Sequence, residues 1–226
     1  MDITEVIAQA KSQTERPMVG YVFDAPIHYV VLKRDDNKLT IPFMTEFMRV
    51  LDEIEATTGP GVVVTIGVGD RHFSTGFDMQ KWVDEPSTYL PSNEMLGTLM
   101  DRLIRLSLPS MCCFNGNAMA GGYFMGICHD FRTMTTKHGR VCLNELLFGG
   151  SLTETLMASL TAKLNPSTIT KMHSATMILP QEALAEGIID NTYADNAALM
   201  AQIKAFAKRY AQVGQYRDII RLNKEN

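Results

Sequence analysis

Residues 110–130 read SMCCFNGNAMAGGYFMGICHD, and this stretch predicts a strand, a tight turn and a buried helix in direct succession. It opens on a short apolar run, continues through Asn115-Gly116, and reaches Gly121-Gly122 just before a segment that is apolar on every side. The first N–H groups of a helix lack internal partners and lie at the positive end of its dipole. The junction is therefore suited to hold an oxygen that becomes negatively charged during a reaction. The alternative is that the glycines serve only close packing of helix on strand.

The segments on both sides of this stretch alternate between strand and helix patterns, which predicts an α/β protein. Residues 62–66 are β-branched without polar alternation, as in a strand buried on both faces of a mostly parallel sheet. Residues 19–32 predict a hairpin, Pro42 fits the first turn of a helix, and Ser92 is the expected N-cap of another. Further predicted elements are a loose helix over 1–15, strands over 131–135, 141–143 and 188–190, helices over 153–164, 167–175 and from Pro180, and one amphipathic helix from Asn196 onward.

Composition narrows the class of protein. A chain of 226 residues is long enough for one main domain with a well-filled core. The formal net charge of −4, without a basic run, argues against a nucleic-acid partner and against a polybasic membrane surface. No apolar stretch approaches the roughly 20 residues of a membrane-spanning helix. We therefore expect neither nucleic acid nor membrane as a partner.

The four cysteines lack Cys-x-x-Cys spacing, so a zinc site or a disulfide framework is not expected, and the thiols should be reduced and buried. The N-terminus is acidic and does not resemble a signal or transit peptide, and the C-terminus is not a Ser-Lys-Leu address. These features predict an intracellular, soluble protein, with peroxisomal, mitochondrial and cytoplasmic settings all left open.

A second motif follows the buried strand: residues 72–79 read HFSTGFDM and predict a loop. Loops at the carboxyl ends of parallel strands are where α/β proteins bind ligands. Gly76 allows an unusual turn there, so that the N–H of Phe77 would point outward beside that of Gly121. The upstream Gly67-Val68-Gly69 is not a dinucleotide fingerprint, because its third glycine would fall at His72 and no helix is predicted there.

Together the two motifs resemble the enoyl-CoA hydratase/isomerase family, also called the crotonase family. Residues 73–78, FSTGFD, match its first oxyanion-hole segment, and residues 115–122, NGNAMAGG, match its second. The resemblance covers about residues 19–193. It implies a spiral of ββα units, acyl-CoA substrates, and a homotrimer or dimer of trimers. It also implies that the N–H groups of Phe77 and Gly121 bind the thioester oxygen.

On this basis the chain divides into an N-terminal extension (1–18), a crotonase-type spiral core (19–193) and a C-terminal helix (194–226). Coenzyme A would enter as part of the substrate, and neither a metal nor a resident cofactor is implied. The residues assigned to substrate binding are Ser74, Thr75, Gly76, Asp78 and Phe124, and Asp78 either braces the loop or contacts the CoA.

Catalysis is assigned to Glu145. Hydratases of the family carry two glutamates; here Phe124 occupies the first position and Glu145 the second. Hydration needs several groups around a water molecule, whereas moving a double bond from C3 to C2 needs one base. The Asn-Glu pair at 144–145 also resembles Δ3,Δ2-enoyl-CoA isomerases, which act in unsaturated fatty acid β-oxidation. Apolar neighbours should raise the pKa of Glu145 by desolvation.

Alternatives remain open at this level. The reaction could instead be dienoyl-CoA isomerisation or thioester hydrolysis, or the chain could be a non-catalytic acyl-CoA-binding member that uses Glu145 structurally. His129-Asp130 is either an acid/base dyad or, as we expect, a pair that hydrogen-bonds the backbone. Trp82 and Tyr89 lie in a segment that in this family covers the acyl chain, and form either a lid or plain surface.

Overall fold

The computed structural model describes residues 1–225, apart from the side chain of Leu146. The strands are β1 Val19–Asp24, β2 Ile27–Leu32, β3 Val62–Gly67, β4 His72–Ser74, β5 Ser110–Phe114, β6 Asn117–Met119, β7 Phe131–Thr135, β8 Val141–Cys142 and β9 Asn191–Tyr193. The α-helices are α1 Ile3–Ser12, α2 Ile41–Glu55, α3 Met79–Asp84, α4 Tyr89–Ile104, α5 Gly121–Ile127, α6 Glu154–Thr161, α7 Pro166–His173, α8 Pro180–Ala185, α9 Asn196–Tyr210 and α10 Arg217–Glu225. Short 3₁₀ turns cover Pro86–Thr88, Glu145–Phe148 and Ala211–Gln215.

Two sheets organise the fold. The larger has six strands in the order β1-β2-β3-β5-β7-β9; β1 and β2 form the predicted antiparallel hairpin, and the remaining pairs are parallel. The smaller consists of β4, β6 and β8, also parallel. Three successive strand pairs, β3/β4, β5/β6 and β7/β8, each give one strand to each sheet. The chain is thus a spiral of repeated units, and the predicted α/β class is confirmed.

Burial follows the sequence pattern. Every residue of β3 and of β5 is buried, as expected for central strands of a parallel sheet. One apolar cluster fills the space between the two sheets and helices α2, α4 and α5. A second covers the opposite face of the large sheet, where α1 and α9 pack. Helix α1 lies within the predicted N-terminal extension, yet Ile3, Val6 and Ala10 are buried in this second cluster.

Four sequence predictions need correction. The first three residues of the predicted loop at 72–79 form strand β4 and pair with β6. Helix α4 begins at Tyr89, not after Ser92. The Ser92 side chain lies inside the helix, and its hydroxyl donates to Thr88 O at 2.6 Å. Pro91 is compatible with this earlier start, because N–H groups in a first helical turn need no helical acceptor. The last strand of the large sheet is β9 rather than 188–190, because the N–H groups of Ile188 and Ile189 both donate to Ala183 O at the end of α8 and so do not join a sheet ladder.

The C-terminal segment is not one continuous helix. Helix α9 ends at Tyr210, and a 3₁₀ turn separates it from α10. Within that turn Gly214 packs directly on the backbone of Gly61, and the Gly61 N–H donates to Ala211 O at 3.0 Å. A side chain at residue 214 would collide with Gly61, so the turn is built around this close approach.

All four cysteines are free and buried, and burial raises the pKa of each thiol. Within residues 1–225, no helix combines the length and the apolar character needed to cross a membrane.

Candidate active site

A cavity of about 370 Å³ lies where the three strands of the small sheet end. Thr75 and Phe77 follow β4, Ala120 and Gly121 follow β6, and Glu145 follows β8; all five line the cavity. Parallel strands present their carboxyl ends at one edge, so three segments that are distant in sequence meet there. The described structure thus brings both predicted N–H donors and the predicted base to one cavity.

The loop after β4 is held in place by its neighbour, residues 36–39. The Thr75 N–H donates to Asp36 O and the Leu39 N–H donates to Gly76 O, each at 2.9 Å. Gly76 has a φ of +80°, which suits glycine and turns the chain at this point. Within residues 1–225 the N–H of Phe77 has no acceptor in the protein. The loop therefore leaves one backbone donor unused beside the cavity.

The second donor depends on a strained residue. Ala120 has φ +49° and ψ −127°, a conformation that costs energy for any residue with a Cβ. Its N–H donates to Cys142 O at 2.9 Å, which holds the turn against β8. Gly121 then begins α5, and its N–H has no acceptor in the described part of the chain. The strain is thus located where a free donor is produced.

Close packing brings the two donor segments together. A Cβ on Gly76 would lie only 3.3 Å from Gly121 N, and a Cβ on Gly122 would lie 2.7 Å from Ser74 O. Glycine at residue 122 is needed because α5 sits directly on β4. Close packing and a donor function are therefore not alternatives here, since the packing is what brings the donor segments into contact.

Glu145 is the first residue of the 3₁₀ turn after β8. Its Oε2 atom is buried and has no hydrogen-bond partner among the described residues. Burial raises the pKa of this carboxyl, and its own backbone N–H opposes that shift. Phe124, fully buried, also lines the cavity. The site therefore holds a desolvated carboxylate in partly apolar surroundings, as expected for a group poised to accept a proton.

The raised pKa of Glu145 predicts that Glu145→Gln stabilises the fold in a pH-dependent way. Because the folded-state pKa exceeds the unfolded value, the stability from this carboxyl is complete below the unfolded pKa and is lost as pH rises through the folded pKa. Glutamine remains neutral throughout. In urea unfolding, we expect the free energy of unfolding of the variant to exceed that of the wild type at about pH 8 and to equal it at about pH 4. A difference that does not change with pH would contradict this assignment.

Aromatic side chains form one wall of the cavity. Phe77 and Trp82 have ring centroids 4.6 Å apart, and Trp82 meets Tyr89 edge-on at 4.8 Å. Both Trp82 and Tyr89 line the cavity, and Tyr89 is about half exposed. Of the two expectations for these residues, the structure favours a covering wall over plain surface.

Three of the predicted substrate-binding residues lie outside this cavity. Ser74 is fully buried and donates to Asn37 O at 2.8 Å, and Gly76 supplies the turn described above. Asp78 accepts from Lys38 Nζ at 3.0 Å and lines a small neighbouring depression instead. Thr75 and Phe124 do line the cavity. In this structure Ser74, Gly76 and Asp78 brace the donor loop.

His129 and Asp130 also lie away from the cavity. The His129 Nδ1–H donates to Met125 O at 3.2 Å, its Nε2 accepts from the Thr65 hydroxyl at 2.8 Å, and burial lowers its pKa to about 4. Asp130 accepts from Ser110 N and from Lys224 Nζ, each at 2.8 Å. The expectation that this pair hydrogen-bonds structural groups is confirmed.

Sequence reasoning missed His173. It ends α7, and with Glu145 it lines a second cavity, of about 230 Å³, adjoining the first. No sequence motif surrounds His173, and only the packing of α7 places it beside the 3₁₀ turn that follows β8.

Comparisons with known proteins agree with this architecture. The family model described as enoyl-CoA hydratase/isomerase matches residues 23–224. The peroxisomal enoyl-CoA delta isomerase 2 of Arabidopsis thaliana is 23% identical over 158 residues, which cover 66% of this chain and 65% of that protein, so the match spans less than two thirds of its length. The fatty acid oxidation complex subunit alpha of Pseudomonas aeruginosa is 29% identical over 151 residues, covering 64% of this chain and 20% of that one.

Among solved structures, a probable enoyl-CoA hydratase from Mycobacterium tuberculosis superimposes with a TM-score of 0.81. It is 21% identical, and the match covers 92% of this chain and 88% of that chain. At this identity the likeness establishes the fold alone.

Proposed function

The chain belongs to the enoyl-CoA hydratase/isomerase (crotonase) family, whose members are enzymes acting on acyl-CoA substrates, and within it we propose that this protein is a Δ3,Δ2-enoyl-CoA isomerase. The observation that carries the proposal is the set of groups around the cavity. Glu145 is the one carboxylate among the described residues that line it, and Phe77 and Gly121 line it with unpaired N–H groups. One base and two donors are what this isomerisation needs.

The proposed reaction proceeds through a dienolate. The N–H groups of Phe77 and Gly121 bind the thioester oxygen of a 3-enoyl-CoA, and the Glu145 carboxylate removes a proton from C2. The electron pair left at C2 is delocalised into the thioester, and the oxygen becomes negative within the oxyanion hole. Protonated Glu145 then delivers the proton to C4: the C3–C4 double bond is lost as the C4–H bond forms, the double bond shifts to C2–C3, and the thioester carbonyl re-forms. The base is regenerated, and the atoms and charge balance without a cofactor.

Hydration is the less suitable reaction for this site. Adding water across a double bond requires groups that position, deprotonate and reprotonate around the water molecule. Phe124, at the position where hydratases of the family carry a glutamate, offers no titratable group and is fully buried. The name of the Arabidopsis relative, a delta isomerase, supports the same choice, and that of the Pseudomonas relative supports a place in fatty acid oxidation.

The remaining expectations stay with this proposal. Coenzyme A enters as part of the substrate, with no metal or resident cofactor required by the reaction. A homotrimer or dimer of trimers remains a prediction from the family resemblance.

The test is conversion of a cis-3-enoyl-CoA into the conjugated 2-enoyl thioester, followed by ultraviolet absorbance, with hydration of a 2-enoyl-CoA as the counter-assay. We expect isomerisation with little hydration. If wild-type protein binds acyl-CoA and does not isomerise it, the proposal fails. Conversion of a dienoyl-CoA or release of free CoA would then identify the dienoyl isomerase or the thioesterase, and binding alone would identify a non-catalytic acyl-CoA-binding protein.

A further inference from the structure

A second cavity, the back cavity, lies behind Glu145. It has a volume of about 230 Å³. It shares Glu145, Gly150 and Ser151 with the cavity of about 370 Å³ described above, which is called the front cavity from here on. Its other lining residues are Leu143, Leu152, Met157 and His173. Glu145 thus lines both the larger cavity and this smaller one, and His173 places one imidazole in the lining of the smaller one.

The back cavity brings together two polar groups that lack partners. His173 Nε2 and Glu145 Oε2 are both buried, and neither has a hydrogen-bond partner among the described residues. Buried polar side-chain atoms in folded proteins are hydrogen-bonded in the large majority of cases, so each unpaired atom needs a physical explanation. Two such atoms on residues that line one cavity have a common explanation, namely that they are hydrogen-bonded to each other through water. A cavity of this size has room for such a water, and Glu145 Oε2 and His173 Nε2 would supply two polar partners in a lining that is otherwise mostly apolar.

Neither atom has a direct hydrogen-bond partner among the described residues, and this includes the hydroxyl of Ser151, an exposed residue that lines both cavities. The nearby thiol of Cys142 donates to Ala175 O at 3.3 Å, and the Gly150 N–H donates to the backbone carbonyl of Glu145 rather than to its side chain. Leu143, Leu152 and Met157 offer no donor beyond their backbone groups. Of the described residues that line the back cavity, Ser151 and His173 carry side-chain donors, and of these two His173 is the one whose polar atom is buried without a partner.

We propose that His173 is a positioning residue for Glu145, donating through water in the back cavity a hydrogen bond to Oε2, the carboxylate oxygen that has no partner among the described residues. The effect of His173 on catalysis rests on the proposed function, because Glu145 is the base of that reaction. The interaction between His173 and Glu145 does not depend on the proposed function. His173 touches no substrate in this scheme; it fixes the orientation of the carboxylate and stabilises its ionised form.

The surroundings of Glu145 determine the direction in which its pKa changes when His173 is replaced. Burial raises its pKa, and hydrogen bonds to the carboxylate lower it. The other titratable groups that face it are the Cys142 thiol on β8 and Tyr89 across the front cavity. Removing the imidazole should raise the pKa of Glu145 further, so that more of the base is protonated at a given pH.

The kinetic test compares His173→Phe, His173→Gln and His138→Phe. We expect His173→Phe to lower kcat roughly tenfold, the lower end of what a lost hydrogen bond to a charged group costs, with little change in KM. The acid limb of its kcat profile should move to higher pH. His173→Gln retains an N–H donor. It should therefore keep most of the wild-type kcat, and the acid limb of its kcat–pH profile should lie at the wild-type pH. His138 is exposed and lines a different pocket, so His138→Phe should behave as wild type.

A second measurement keeps this inference separate from the proposed function. In protein labelled with ¹³C at the glutamate carboxyl carbon, the resonance lost in Glu145→Gln identifies Glu145, and its titration midpoint can be followed without substrate. A midpoint that rises in His173→Phe supports the coupling even if wild-type protein isomerises nothing. An unchanged midpoint in a variant whose circular dichroism melt shows it to be folded overturns the proposal, as does equal loss of kcat in His173→Phe and His173→Gln.

Discussion

Replacing Glu145 with glutamine is expected to lower the rate of 3-enoyl-CoA isomerisation by about 10³-fold, within the range that a positioned general base contributes. The amide retains the shape of the carboxyl but does not accept a proton from C2. The Phe77 and Gly121 N–H groups are unchanged by the substitution. Substrate affinity should therefore remain close to that of the wild type, and the loss should appear in kcat. The measurement is the initial rate of conjugated thioester formation, with acyl-CoA binding determined separately by calorimetry.

The matched control is Glu154→Gln. Glu154 is the exposed first residue of α6 and does not line either cavity around Glu145. The Glu154→Gln variant should isomerise 3-enoyl-CoA at the wild-type rate. If Glu145→Gln retained more than about a tenth of the wild-type kcat, far above what a general base permits, a different group would have to carry the proton.

The same residue links activity to stability. Glu145 is held with a buried, unpaired oxygen, and Ala120 is held at positive φ, both beside one cavity. Features of this kind persist only where the surrounding structure determines them, and they cluster at functional sites. A glutamine variant that is more stable at high pH and inactive would show that the fold gives up stability to keep an ionisable group there.

The large sheet could be predicted from the sequence because its strands carry strong patterns. Residues 62–66 are all β-branched and show no polar alternation, and the structure buries every residue of β3. The hairpin at 19–32 has a turn at its centre and two clear strand patterns. Strands buried on both faces produce a signal that depends little on tertiary context.

The small sheet could not be predicted as a sheet. Its strands β4 and β6 have three residues each, which is too short for any periodicity to be detected. The sequence predicts a strand over 141–143, where β8 lies, but the pattern of residues 72–74 indicates a loop. Their pairing with residues near 117 depends on the spiral, which brings successive turns into register.

The backbone donors of the candidate site could be predicted from the sequence. Gly76 and Gly121 mark turns in the sequence, and the donors beside them follow from those turns. Residues that act through side-chain packing were harder to place. Ser74 and Asp78 brace the loop instead of lining the cavity. His173 gave no signal, because only the packing of α7 beside the β8 turn makes it a neighbour of Glu145.

The second large effect is expected from the Gly121 N–H. Gly121 is the first residue of α5, a position where proline is well tolerated because the N–H has no helical acceptor. Gly121→Pro thus removes one donor to the developing oxyanion and leaves Phe77 and Glu145 in place. Loss of one oxyanion-hole donor typically costs about 2.7–4 kcal/mol, so kcat should fall by about 10²–10³-fold. The measurement is the same absorbance assay, with the fold checked by thermal melting.

Gly121→Ala is the control that separates the lost donor from added bulk. Alanine keeps the N–H but places a Cβ 2.8 Å from Leu39 Cδ1, which is the end of a flexible side chain and can move. Crowding by the Cβ should therefore appear in both variants. The loss of the N–H, and the ring Cδ that takes the place of its hydrogen, are confined to the proline variant, so the loss of transition-state stabilisation should appear there alone. Equal loss of kcat in the two would show that the N–H of Gly121 does not bind the oxyanion, and would leave Phe77 as the remaining backbone donor of the pair.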